Sequence, residues 1–396
     1  MKTWQVIYAS LAVIWFFAGA ASGDRVFFVL FFLQIFLLLA AWIITIWAAL
    51  TFSYTQELSS EQTSRGQPVH LNLNIHNEKP FPFPMMRIQI AGPDPLDKQE
   101  LNFNLAADTR RSFDLELNCP HRGAYKVGMT VIDFIDIFGL FRMPFDMRRL
   151  PYYREKHLLV LPRVTPLPGL SMRSAGQSAA ASRLGAVDDQ QEPFAAVRDY
   201  RPGDAAKLIH WKASLRQRQL LTRQFDASGE TQILLLLDRQ TIDGMTGTAL
   251  QTVDASCEAA ASLTRTLLIR GWPVRIISVG DGYDQQQGSS LRDFRRLHHW
   301  LAQVSFNGSL PFHQLLASEM ARQHNSRAIL AITHESSAAL LAVLAAAPRH
   351  RTPLYVLFTG SAASDLSFAA QVRRIGLPAW FYQAGDDLAD IMRISP

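Results

Sequence analysis

Three things are scarce in this sequence, and each closes off a class of protein. There are only two cysteines, Cys119 and Cys257, far apart in the chain. Two separated thiols make neither a disulfide framework nor a thiolate zinc site, which needs more ligands at short spacing. Sparse free thiols lean towards a reducing compartment. Charge is scarce too: Asp, Glu, Lys and Arg make up 18% of the chain, below the usual quarter. That deficit is local, because residues 1–52 carry only Lys2, Asp24 and Arg25 as charged side chains, with four of the eight tryptophans. The third scarcity is catalytic chemistry. No Ser-His-Asp order, Gly-rich phosphate loop or set of paired carboxylates marks a reaction centre. The expectation is a protein that is not an enzyme and carries no cofactor or metal.

The uncharged segment is long. Trp4 to Ala21 and Val26 to Leu50 are runs of eighteen and twenty-five residues, against about 20 helical residues needed for a bilayer core of about 30 Å. Phe27, Phe28, Phe31, Phe32 and Phe36 with Leu37 to Leu39 make the second run apolar on every side, and Gln34 is its one strongly polar interior residue. Ser22-Gly23-Asp24-Arg25 reads as a tight turn. Residues 1–54 are therefore expected to be a transmembrane hairpin that meets the lipid bilayer through residues 4–21 and 26–50. A cleaved signal peptide competes for the first run, with Lys2 ahead of it and Ala18-Gly19-Ala20 resembling a cleavage site. Retention is favoured because Trp15-Phe16-Phe17 runs close to that site and a second span follows at once. Either way the body is expected in the cytoplasm, below a multi-pass anchor in the inner membrane.

A chain of 396 residues is expected to fold as two or three units. In 55–165, Val69, Leu71, Leu73 and Ile75 alternate with His70, Asn72, Asn74 and His76, and Leu101-Phe103-Leu105 and Phe113-Leu115-Leu117 repeat the pattern. Such short alternating strands, separated by turn clusters, predict a small antiparallel β-sandwich. His70 and His76 read as polar-face residues without acidic or thiol companions at ligand spacing. Phe138, Leu140 and Phe141 read as core. Ser171 to Gly185, rich in Ser, Ala and Gly, reads as a linker within a segment 166–229.

That segment also holds the basic character of the chain. From Arg198 to Arg223 there are seven Arg or Lys and two Asp, a net of +5, which equals the formal charge of the whole sequence. It contains Arg198, Tyr200, Arg201, Gly203 and Asp204, then His210, Trp211, Lys212 and Arg216. Arg201-Pro202-Gly203-Asp204 suits a turn, with Asp204 placed to cap a short helix. Two readings stay open: a wedge whose arginines pair with acids and carbonyls at a domain junction, or a surface for a partner, an anionic polymer or an anionic lipid. Nucleic acid is not the favoured partner.

The remainder, 230–396, alternates apolar strands (Ile233–Leu237, Val274–Val279, Ala328–Ile332, Pro353–Phe358) with helices over Thr248–Arg270, Leu291–Val304, Phe312–Gln323 and Ser336–Ala347. The alternation predicts an α/β doubly wound domain with a parallel sheet. Ligands of such sheets bind at the carboxyl ends of strands, here Asp238, Gly280-Asp281 and Thr333-His334.

The signature Phe194…Arg198-Asp-Tyr-Arg-Pro-Gly-Asp204…Ile209-His-Trp-Lys-Ala-Ser214…Arg216 resembles that of the bacterial domain-of-unknown-function 58 family. Arg122-Gly-Ala-Tyr125, Asp136…Phe138-Gly-Leu-Phe141 and the N-terminal helices match as well. The resemblance implies a membrane-anchored adaptor or co-chaperone of a MoxR-type AAA+ ATPase, encoded near a transglutaminase-like membrane protein. It also implies that 230–396 is similar to a von Willebrand factor A domain, a fold that often holds a divalent cation on Asp-x-Ser-x-Ser and a later Asp. Here Asp238 is kept, but Gln240, Ile242 and His334 stand at the other positions. Three lost oxygen donors should abolish ordinary Mg²⁺ binding, so the expectation is a degenerate, metal-free site. A hydrolase centred on Asp238, Asp281 and His334 is the remaining rival, and it lacks a visible nucleophile.

Overall fold

Two apolar helices open the chain, α1 (Lys2–Ser22) and α2 (Arg25–Leu50). Gly23 turns between them at φ +69°, and Asp24 accepts the Val26 amide at 3.1 Å to start α2. The helices meet through rings, with Phe16 5.4 Å from Phe31 and Trp15 stacked on Phe27. Gln34 joins them as well: its Nε2 donates to the Tyr8 carbonyl at 2.7 Å, and the Tyr8 hydroxyl donates to the Gln34 carbonyl at 3.2 Å. Both helices are long and apolar enough to cross a membrane. Phe17, Phe32 and Phe36 are about two-thirds exposed, an apolar outer surface that a water-facing helix would not keep.

The computed structural model describes residues 2–50, 52–80, 82–94, 99–136, 138–149, 153–170, 194–199, 214, 219–225, 232–242, 247–322, 326–347 and 352–393. The chain divides into two compact units, Met1–Arg163 and Val164–Pro396.

In the first unit the strands are β1 (Ser53–Leu58), β2 (Gln62–Ser64), β3 (Val69–Asn77), β4 (Phe83–Ala91), β5 (Gln99–Leu105), β6 (Thr109–Leu117), β7 (Gly123–Ile135), β8 (Arg142–Asp146) and β9 (Lys156–Leu161). One sheet runs β1-β3-β6; the other runs β2-β9-β7-β4-β5, with β8 beside β7. The alternation in β3 becomes burial: Leu71, Leu73 and Ile75 are fully buried and share a core with Met86, Ile88, Met129 and Ile132 of the facing sheet. This is the predicted sandwich, with one departure, since β2 and β9 pair in parallel. The histidines differ from expectation: His70 lies 3.2 Å from Asp114 and His76 3.1 Å from Glu78. Asp114 comes from the neighbouring strand β6, which sequence spacing does not show, whereas Glu78 stands only two positions on from His76. The Tyr125 hydroxyl donates back to the carbonyls of His121 and Arg122, both at 3.2 Å, which gives the Arg-Gly-Ala-Tyr motif a structural role. Cys119 and Cys257 are buried and form no disulfide, and burial pushes the Cys119 thiol up to about 11.

The second unit begins with an arm in which Leu167 and Leu170 enter the core and the Thr165 amide donates to the Ser262 hydroxyl at 3.0 Å. Strands β10 (Phe194–Asp199) and β11 (Leu221–Phe225) form an antiparallel pair. Then follow β12 (Gln232–Leu237), α3 (Gly247–Ile269), β13 (Val274–Val279), β14 (Tyr283–Gly288), α4 (Phe294–Gln303), α5 (Phe312–Ala321), β15 (Ser326–Thr333), α6 (Ala338–Ala346), β16 (Leu354–Thr359), α7 (Gly360–Ser364), α8 (Leu366–Ile375), β17 (Ala379–Tyr382) and α9 (Leu388–Arg393). The sheet order is β14-β13-β12-β15-β16-β17, parallel except for β14. Ile233 to Leu237 are all buried because helices cover both faces of the sheet. Strand β14 reads Tyr-Asp-Gln-Gln-Gln-Gly, an edge strand too polar to announce itself by an apolar run.

Candidate functional site at the carboxyl edge of the parallel sheet

Strand order reverses between β12 and β15, and a crevice opens outside the carboxyl ends of strands at such a switch point. Asp238 follows β12 there and Thr333, His334 and Glu335 leave β15. Asp238 is almost fully buried. Its Oδ1 accepts the Gln240 amide at 2.9 Å, and its Oδ2 accepts the Thr333 hydroxyl at 2.6 Å and the His334 amide at 3.4 Å. Three donors neutralise the cost of burying this carboxylate. The predicted neighbours Asp238 and His334 do meet, with Nδ1 3.3 Å from Oδ2, but the alignment is not that of a hydrogen bond and Nδ1 has no partner.

One residue further on, Glu335 makes a tighter set. It lies 2.7 Å from His313 Nδ1, accepts the His313 amide at 3.0 Å, and accepts the Ser337 hydroxyl. Burial pushes this carboxyl up, but the hydrogen bonds from Ser337 and His313 outweigh it and hold the group below the ordinary glutamate value. Sequence reading passed over Glu335 and His313. They stand 22 residues apart, so the only local signal was an acid at a strand end.

Of the remaining predicted positions, Ile242 lines the same cleft as His334, whereas Gln240 and Asp281 lie apart from it. Gln240 forms a bridge with Gly308, where an added Cβ would stand 2.5 Å from the Val279 carbonyl, so only glycine fits. Ile242 is half-buried. The Asp281 carboxylate accepts from Asn307 at 2.5 Å. Between these positions, Arg239 is buried; its Nε donates to the Ser305 carbonyl at 2.8 Å and its Nη1 lies 3.4 Å from Asp284. This cation locks the loop after β12 to the one after α4. Trp300 donates to the same Asp284 at 3.1 Å and His298 stacks on Phe294, so both serve packing. Among the described residues no group of three His, Cys, Asp or Glu side chains gathers as a cation would require.

Beside His334 lies a cleft of 430 Å³ bordered by Thr248, Thr252, Ser361, Ser364 and Gln383. Its wall mixes hydroxyls and amides with the apolar side chains of Ile242, Ala249 and Ala384. Of the signature, Arg198 falls in β10; Tyr200, Arg201, Gly203, Asp204, His210, Trp211, Lys212 and Arg216 lie outside the described residues, as does the linker 171–185. In β10–β11, Asp199 pairs with Leu221.

Residues 196–287 match the family model described as Protein of unknown function DUF58, so the resemblance read from the signature holds over that stretch. Among individual proteins, the uncharacterized protein YeaD of Bacillus subtilis (strain 168) is 24% identical over 294 residues, 70% of this chain and 68% of its own length. Solved structures are distant. Cwp6 from Clostridium difficile is 12% identical over 84% of this chain and 52% of its own, with a TM-score of 0.18. Spo0M, a sporulation control protein from Bacillus subtilis, is 10% identical over 28% of this chain and 49% of its own, with a TM-score of 0.17. This chain thus spans about half of each, and scores this low carry no argument.

Proposed function

We propose that this chain is a non-enzymatic, membrane-anchored adaptor that docks a partner at the carboxyl edge of its parallel sheet. The observation that carries the reading is the state of Asp238, whose oxygens are taken up by Thr333 and by backbone amides. A buried acid engaged in this way holds a loop in place and is poorly set to move protons. The cleft beside it, lined by hydroxyls and amides together with Ile242, Ala249 and Ala384, suits a mixed polar and apolar contact patch. The β14-β13-β12-β15-β16-β17 order, with an antiparallel edge strand, supports reading the second unit as von Willebrand factor A-like with a degenerate metal site.

Family resemblance supplies the partner: a MoxR-type AAA+ ATPase, in the company of a transglutaminase-like membrane protein. The hairpin would hold the body on the cytoplasmic side of the inner membrane, where a soluble ATPase can reach it. The test uses the full chain in lipid nanodiscs, titrated with a MoxR-type ATPase while complex formation and ATP turnover are followed. A saturable complex or a change in turnover supports the adaptor reading; the absence of both overturns it.

A further inference from the structure

We infer a binding groove for an anionic phospholipid at the junction of α2 and the sandwich. A groove of 660 Å³ opens there, and its lining includes the apolar Leu50, Phe52 and Tyr54 and the basic Arg154 and Lys156. Glu57 is its one acid. The neighbouring acid on β9, Glu155, is engaged by Lys126 at 3.0 Å, whereas the side chains of Arg154 and Lys156 have no acidic partner among the described residues. Two uncommitted cations beside an apolar wall match a lipid phosphate and the first carbons of its chain.

Depth argues for a lipid as the occupant. Leu50 ends the second span and is 73% exposed, and Trp47, one turn earlier, is 47% exposed. Tryptophan at that level suits the headgroup region. Nor can the sandwich swing away from the hairpin. Ala48, Ala49 and Phe52 belong to the sandwich core, and the turn after β7 is bound to α1: Gln5 Nε2 donates to the Leu140 carbonyl, and the Phe138 ring lies 6.4 Å from Tyr8. That turn is itself fixed, since Asp136 accepts the Phe138 and Phe141 amides at 3.1 and 2.5 Å. The groove is thus held where α2 leaves the bilayer.

The inference rests on the hairpin spanning a bilayer, so the experiment keeps the two apart. Full-length chain is reconstituted in vesicles of mixed phosphatidylglycerol and phosphatidylethanolamine, floated on a density gradient, then extracted gently for native mass spectrometry of retained lipid. Flotation in alkaline carbonate reads the span. Retention of phosphatidylglycerol over phosphatidylethanolamine reads the groove. The double substitution R154Q/K156Q should float as before and lose that preference by about tenfold or more, each cation near an anionic surface being worth about a factor of five. A floating wild type with no headgroup preference, or a preference that the double substitution leaves intact, overturns the groove. A wild type that fails to float overturns the spanning reading and the groove with it.

Discussion

Two histidine–carboxylate pairs stand at the exit of β15, one residue apart, and they behave differently. His313 and Glu335 are 2.7 Å apart, and a backbone amide and Ser337 complete the carboxylate's partners. His334 and Asp238 are 3.3 Å apart, yet Asp238 takes its hydrogen bonds from other donors and His334 Nδ1 keeps none. The first pair is a clasp between the start of α5 and the loop after β15. In the second, the aspartate holds its own loop and the imidazole is left beside the cleft. The contrast separates a carboxylate that clasps two elements at the edge of the sheet from an imidazole whose buried Nδ1 makes no hydrogen bond.

Removing the buried carboxylate should cost most. Asp238→Ala strands the Thr333 hydroxyl and two amides, a loss of about 3 kcal/mol. It should lower the melting transition of the second unit by about 8 °C in detergent-solubilised full chain. Asp238→Asn should recover more than half. If the alanine variant melts like wild type, the edge is not organised around Asp238.

Glu335→Gln should cost about 1 kcal/mol, since the amide still accepts from Ser337 and only the charge-assisted bond from His313 is weakened. The pH dependence has a definite sign. A carboxyl held below its ordinary value of 4.5 stabilises the fold above that value and loses the contribution as pH falls through the depressed folded value. Wild type should therefore lose more stability than Glu335→Gln on acidification below 4.5, measured by urea melts at stepped pH; parallel losses would contradict the clasp.

His334→Ala should change stability least, by about 0.5 kcal/mol, because no hydrogen bond to its ring is lost. Its effect should appear in partner binding instead. A large stability loss would mean that His334 belongs with the clasp.

Much of this fold could be read from the residues. Apolar periodicity in β3, β5 and β6 located the sandwich strands, and continuous runs located β12, β13, β15 and β16. Short or polar elements escaped: β14 has no apolar stripe, β17 has four residues, and α7 and α9 have five and six. Phe138, Leu140 and Phe141 read as core by hydrophobicity, but of these three Leu140 alone is buried; Phe138 is 45% exposed. The turn follows Asp136 rather than a core pattern. At the site, Asp238 and His334 were found because strand ends in a parallel sheet converge. Glu335, His313 and Arg239 depend on contacts between loops distant in sequence, which no local pattern encodes.

The claim that the carboxyl-edge cleft is a docking surface is tested most directly by filling it. Ser361 is exposed on its rim, so Ser361→Arg should leave melting unchanged and weaken association with the MoxR-type ATPase about tenfold, or about 1.4 kcal/mol. Ser112→Arg, on the exposed face of the sandwich, should bind like wild type. Undiminished binding by a folded Ser361→Arg protein would contradict the assignment of the cleft.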